Sequence, residues 1–82
     1  MDDLTAGSEA LLVDLWNDKE NWGGMPLFGG NVGFGEAAKG HLTDLKKKGY
    51  VTTHEDDGGS WVCFTTKAHT ALEATDAKEG AA

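Results

Sequence analysis

An 82-residue chain fits a single domain that buries only a small core. Its seven basic residues are all lysines and face fourteen acids, a net charge of −7; a body of that sign repels a polyanion at long range, so nucleic acid is excluded except through a local contact. A lone cysteine, Cys63, excludes an intrachain disulfide, no run reaches the ~18 apolar residues of a membrane span, and the acidic start MDDLTAGSEA lacks the basic and apolar segments of a secretion signal, so a cytoplasmic protein without a membrane partner is expected.

The charge is unevenly spread. Residues 1–30 hold six acids against one lysine, or −5, and residues 31–48 hold two acids against four lysines, or +2. Residues 49–66 carry three acids and no lysine, or −3, and the remainder is −1. One short basic segment is therefore set among acidic ones.

Residues 5–20 are predicted to form a helix. Thr5 or Ser8 suits the cap, Glu9 suits the positive end of the helix dipole, and Leu11, Leu12, Leu15 and Trp16 recur at helical spacing. Asp14, Asp18 and Glu20 fall on the side expected to be wet. The stretch WGGMPLFGGNVGFG, 22–35, has too many glycines for a long helix, and a short helical turn at Pro26–Phe28 is the regular structure it offers. Its aromatics predict an ordered connection rather than a linker.

A second helix is predicted over 34–48. Phe34, Ala38, Leu42 and Leu45 share one stripe, with His41 beside it. Glu36, Lys39, Gly40, Thr43, Lys46 and Lys47 fall opposite, Lys48 lies nearer the buried edge, and Gly49 suits a left-handed helix stop. Two β-prone runs, YVTTH at 50–54 and SWVCFT at 60–65, flank the turn signal EDDGG. Thr65 or Thr66 then caps a last helix with Ala68, Ala71 and Leu72 as its apolar contacts, and residues 76–82 are expected to form a disordered tail outside a domain at 1–75. A helix passing through Lys-Lys-Gly-aromatic-Val into a hairpin describes an α+β, mainly helical winged helix.

The segment LTDLKKKGYVTTHEDDGGSWVCFTTKAHTAL, from Leu42 to Leu72, resembles the recognition helix and wing of MarR-like winged-helix regulators. Leu45, Lys48, Gly49, Tyr50 and Val51 match the family's helix exit, and Phe64 and Thr65 match the start of its next helix, with Ala68 where the family usually has Gly. The likeness covers about thirty residues and implies double-stranded DNA as partner, transcription regulation as role, and a homodimer as assembly. Small acidic winged-helix proteins also resemble those encoded by bacteriophages, which implies action in a host cytoplasm. Three features depart from the family. The wing HEDDGGS has no arginine, glycine-rich sequence replaces one helix of the helix-turn-helix, and the flanking helices are short.

Two functional readings follow. In the first, Lys39, Lys46 and Lys47 meet phosphates, Thr43 faces bases, and His54 is the wing's one candidate cation. The plain alternative for these lysines is a solvated helix end favoured by the dipole. In the second, the acidic surface binds a basic protein, with Trp61, Asp56 and Asp57 on the hairpin as contacts and Trp61 the tryptophan most exposed.

Other chemistry finds little footing. EDDGG lacks the alternating ligands of a calcium loop and reads as a solvated turn. His41, His54, His69 and Cys63 lack zinc-ligand spacing, GGNVGFG matches no nucleotide-binding loop, and no nucleophile, base and acid assemble. No enzyme activity, metal or cofactor is expected.

Overall fold

The computed structural model describes residues 3–81, with side chains described as far as residue 74. Three helices, α1 (Ala6–Asp18), α2 (Gly35–Lys47) and α3 (Thr66–Ala81), combine with three strands, β1 (Leu27–Phe28), β2 (Val51–Asp56) and β3 (Gly59–Phe64). The sheet is antiparallel in the order β1-β3-β2. The expected tail at 76–82 falls where side chains are not described, and Ala82 lies outside the described residues. No helix among the described residues is long and apolar enough to cross a membrane.

Thr5 caps α1 by accepting the Ser8 N–H at 3.2 Å. Lys19–Trp22 then tightens into a 3₁₀ turn that ends at Gly23. Leu11, Leu12, Leu15 and Trp16 are buried as their spacing predicts. Asp18 departs from its expected place on the wet side: it is only 6 % exposed. Pro26–Phe28 departs too, since the expected helical turn is extended chain. The Pro26 carbonyl accepts the Val62 N–H at 2.9 Å, and Leu27 and Phe28 pair with Trp61 and Ser60. Proline has no N–H to lose from the ladder, so an edge strand tolerates it at its start.

α2 begins later than its stripe predicts. Phe34 is the N-cap residue, in extended conformation and 68 % exposed, not a member of the buried stripe. Leu42 and Leu45 are buried, and Ala38 and His41 are half-buried. The helix stops as expected at Gly49, whose φ is 80°. Gly49 N–H bonds the Lys46 carbonyl at 3.2 Å and Tyr50 N–H bonds the Leu45 carbonyl at 3.0 Å. This pair of bonds is the Schellman arrangement, and the buried Leu45 and Tyr50 supply its usual apolar contact.

The hairpin extends further into the acidic segment than 50–54 and 60–65 predict. Glu55 and Asp56 pair with Ser60 and Gly59, leaving Asp57 and Gly58 as the turn. Asp56 Oδ1 accepts the Gly58 N–H at 2.8 Å and steadies that turn. Thr65 begins α3. Its hydroxyl donates to the Gly49 carbonyl at 2.6 Å and accepts from Ala68 N–H at 3.4 Å, which ties the end of α2 to the start of α3.

The core joins Leu11, Leu12, Leu15 and Trp16 of α1 to Leu42 and Leu45 of α2, Tyr50, Val51 and Val62 of the hairpin, and Ala68 and Leu72 of α3. Side chains alternate across a strand, so Trp61 and Cys63 face away from Val62 and the core. They lie beside Trp22 and Met25 instead: the Trp22 and Trp61 rings meet edge-to-face at 5.5 Å, and Cys63 Sγ is 3.3 Å from Met25 Sδ.

Candidate nucleic-acid interface

The exposed face of α2 carries Glu36, Ala37, Lys39, Gly40, Thr43, Lys46 and Lys47. Their spacing of three and four puts them on one side of the helix. Four of the five residues expected to meet DNA are thus brought together. The fifth, His54, is exposed on β2, the outer strand of the hairpin, opposite Trp61.

The lysines differ in what they already touch. Lys39 lies 3.6 Å from Glu36, an exposed pair of little energetic weight. Lys48 pairs with Asp44 at 3.3 Å and also donates to the Asp3 carbonyl. Lys67 binds Asp3 Oδ2 at 3.1 Å and the Lys48 carbonyl at 2.8 Å, and covers the Tyr50 ring. Lys19 lies over the Trp16 ring at 4.0 Å. Lys46 and Lys47 form no ion pair, side-chain hydrogen bond or ring contact among the described residues. Thr43 donates its hydroxyl proton to the Lys39 carbonyl at 3.0 Å, so towards solvent it presents a methyl group and an acceptor oxygen.

The acidic hairpin keeps its charge and holds one carboxylate from within. Asp56 accepts the Trp61 indole N–H at 2.9 Å, and this bond, followed by that from Gly58, holds its carboxyl below the ordinary range. Trp61 is half-buried, as Trp22 is, while Trp16 is buried. Asp57 stays exposed at the turn.

Three further carboxylates hold the scaffold. Tyr50 donates to Asp3 at 2.7 Å; that bond first and Lys67 second lower the Asp3 pKa to about 2. Asp18 accepts from Asn21 at 2.8 Å, Asn31 at 3.0 Å and the Trp22 indole at 2.9 Å, and these neutral donors, Asn21 foremost, hold it ionised. Asp44 accepts the Ser8 hydroxyl at 2.8 Å, the chief cause of its lowered pKa. The sequence offers Asp18 only as a wet-side residue and Ser8 only as a helix cap, a place Thr5 takes. The cluster Asn21, Trp22 and Asn31 after a helical Asp is the signal that marks the first; the second becomes visible only when α1 and α2 pack.

Ser8, His41 and Asp44 lie together, yet their geometry is that of a structural lock. Ser8 is 1 % exposed and spends its one proton on Asp44, so its 3.4 Å contact with His41 Nδ1 is no route for a proton from Ser8 to the imidazole. Among the described residues no three His, Cys, Asp or Glu side chains converge as a metal site would need. No family model matches this chain, and no curated protein or solved structure matches it.

Proposed function

We propose that this chain is a winged-helix DNA-binding protein with a role in transcription regulation. In this reading α2 enters the major groove and the β2–β3 hairpin lies beside the phosphate backbone. One observation carries it: Lys46 and Lys47, adjacent on the exposed face of α2, are free of intramolecular partners among the described residues, while Lys19, Lys39, Lys48 and Lys67 are engaged.

The face around them suits close approach. Ala37 and Gly40 are small, and a Cβ on Gly40 would meet nothing within 4 Å. The major groove is about 12 Å wide and admits a helix. Lys39, Lys46 and Lys47 contact phosphates, and Thr43 offers its oxygen to a base amino group or its methyl to a thymine methyl. The absence of arginine removes the usual bidentate guanine contact, so sequence preference is modest and affinity rests on charge.

Fluorescence anisotropy with a mixed-sequence duplex, titrated with salt, tests this. Two to three phosphate contacts give a slope of log K against log salt of about −2 to −3. Lys46→Glu with Lys47→Glu should abolish the binding. Affinity that is unchanged in the double variant, or absent in low salt, sinks the proposal.

A further inference from the structure

A second surface lies on the opposite flank of α2. Between residues 7–14 of α1 and the start of α2, an open groove of about 300 Å³ is lined by Ala10, Asp14, Val32, Phe34, Ala38 and His41, among others. Most of its wall is apolar. Phe34 stands at its edge with 68 % of its surface exposed, held between Gly33 (φ 95°) and Gly35 (φ 89°), so both chain neighbours have backbone geometry that side chains rarely adopt. Asp14 is the groove's carboxylate. Asp3, Asp18, Asp44 and Asp56 all accept hydrogen bonds from side chains; Asp14, on the exposed side of α1, has no ion pair or side-chain hydrogen bond among the described residues.

An open aromatic ring and an unengaged carboxylate in one apolar groove match one side chain well. Guanidinium is planar, pairs bidentately with a carboxylate, stacks on an aromatic face and is more weakly hydrated than an ammonium. This chain contains no arginine, so neither the molecule itself nor a second copy can supply that group. The occupant is therefore another protein, and the net charge of −7 draws a basic one in. We propose that the α1–α2 groove captures an arginine side chain of a partner protein, with Asp14 pairing the guanidinium and the Phe34 ring stacking on it. Ala10, Val32 and Ala38 receive the apolar residues beside that arginine. None of Lys39, Thr43, Lys46, Lys47 or His54 lines the groove, and Ala37 alone borders both surfaces, so each activity can fail without the other.

The test uses a capped Ala-Leu-Arg-Leu-Ala peptide and its citrulline counterpart, which keeps the shape and loses the charge. Each is titrated into the isotopically labelled full chain while amide and imidazole resonances are followed. The arginine peptide should give saturable shifts at Asp14, Phe34, Ala38 and His41 with a Kd of about 1 mM, as expected for one side-chain anchor. The citrulline peptide should bind about tenfold more weakly, and Asp14→Asn should weaken the arginine peptide about fivefold. Phe34→Leu keeps the groove apolar and should still weaken it, because the stacking is lost. Equal binding of the two peptides, or no saturation by about 20 mM, overturns the proposal. So does a dimer in sedimentation that Phe34→Ser converts to a monomer, because the groove would then belong to a self-interface.

Discussion

Asn31 donates its side-chain amide to Asp18 Oδ1 at 3.0 Å and so fastens the glycine-rich connection to the last turn of α1. Asn21 and Trp22 bind the same carboxylate from the 3₁₀ turn, so one acid organises the approach to β1. Removing it leaves three donors without their acceptor. Asp18→Ala should lower the melting temperature by roughly 5 °C or more and change the Trp22 emission. Asp14→Ala, on an exposed carboxylate of the same helix, should leave the melting temperature unchanged within about 2 °C. Differential scanning fluorimetry of both variants checks the contrast.

Acid stability should depend on Asp3. Its folded pKa is about 2 against an ordinary 3.8, because Tyr50 and then Lys67 favour the ionised form. The unfolded chain therefore binds the proton more readily than the folded one. The stabilisation is fully present above the ordinary value and is lost as pH falls through the folded value. Between about pH 4 and pH 2 the intact protein should lose stability, and Asp3→Asn should flatten that part of the profile. Urea midpoints across this range decide it; a parallel slope in the variant would remove Asp3 from the explanation.

Gly7 and His41 should show a sign reversal. A Cβ on Gly7 would run into the His41 ring, which would have to leave its contact with Ser8. Helix propensity alone favours alanine there by about 1 kcal/mol. Gly7→Ala should thus destabilise the protein with His41 in place and stabilise it by up to about 1 kcal/mol in a His41→Ala background. Chemical denaturation of the four proteins completes the cycle.

Phe34 and Leu45 lie on the same predicted stripe and should respond very unequally to truncation. Leu45 is fully buried, so Leu45→Ala should cost about 2–5 kcal/mol. Phe34→Ser should alter stability by no more than about 0.5 kcal/mol, because the exposed ring is not part of the core cluster. A large loss from Phe34→Ser would mean that the ring packs where the structure leaves it exposed.

The legible parts of this fold are those that local chemistry decides. The run from Leu45 through Gly49 to Val51 encodes its own helix stop and strand start, because the Schellman bonds span only six residues. The apolar spacing of Leu11, Leu12, Leu15 and Trp16 likewise specifies one face. The α2 lysine face was legible for the same reason. Phe34 was misplaced because a 100° period continues on paper past a helix start that glycines 33 and 35 impose. β1 was missed because two residues carry no periodicity and their partners lie on β3, over thirty positions away. Asp18 reads as a surface acid until Asn31 is brought across from the connection. The α1–α2 groove is a product of packing, and no spacing within either helix announces it.

The bond from Lys67 to Asp3 joins positions 64 apart, and Lys48 reaches the same residue from the end of α2. On the ribosome, residues near Asp3 emerge long before Lys67 is made. The segment before α1 can meet Lys48 and Tyr50 first, and it gains its bond to Lys67 only when the start of α3 has left the exit tunnel. The third anchor of that segment is in this way timed by the arrival of α3.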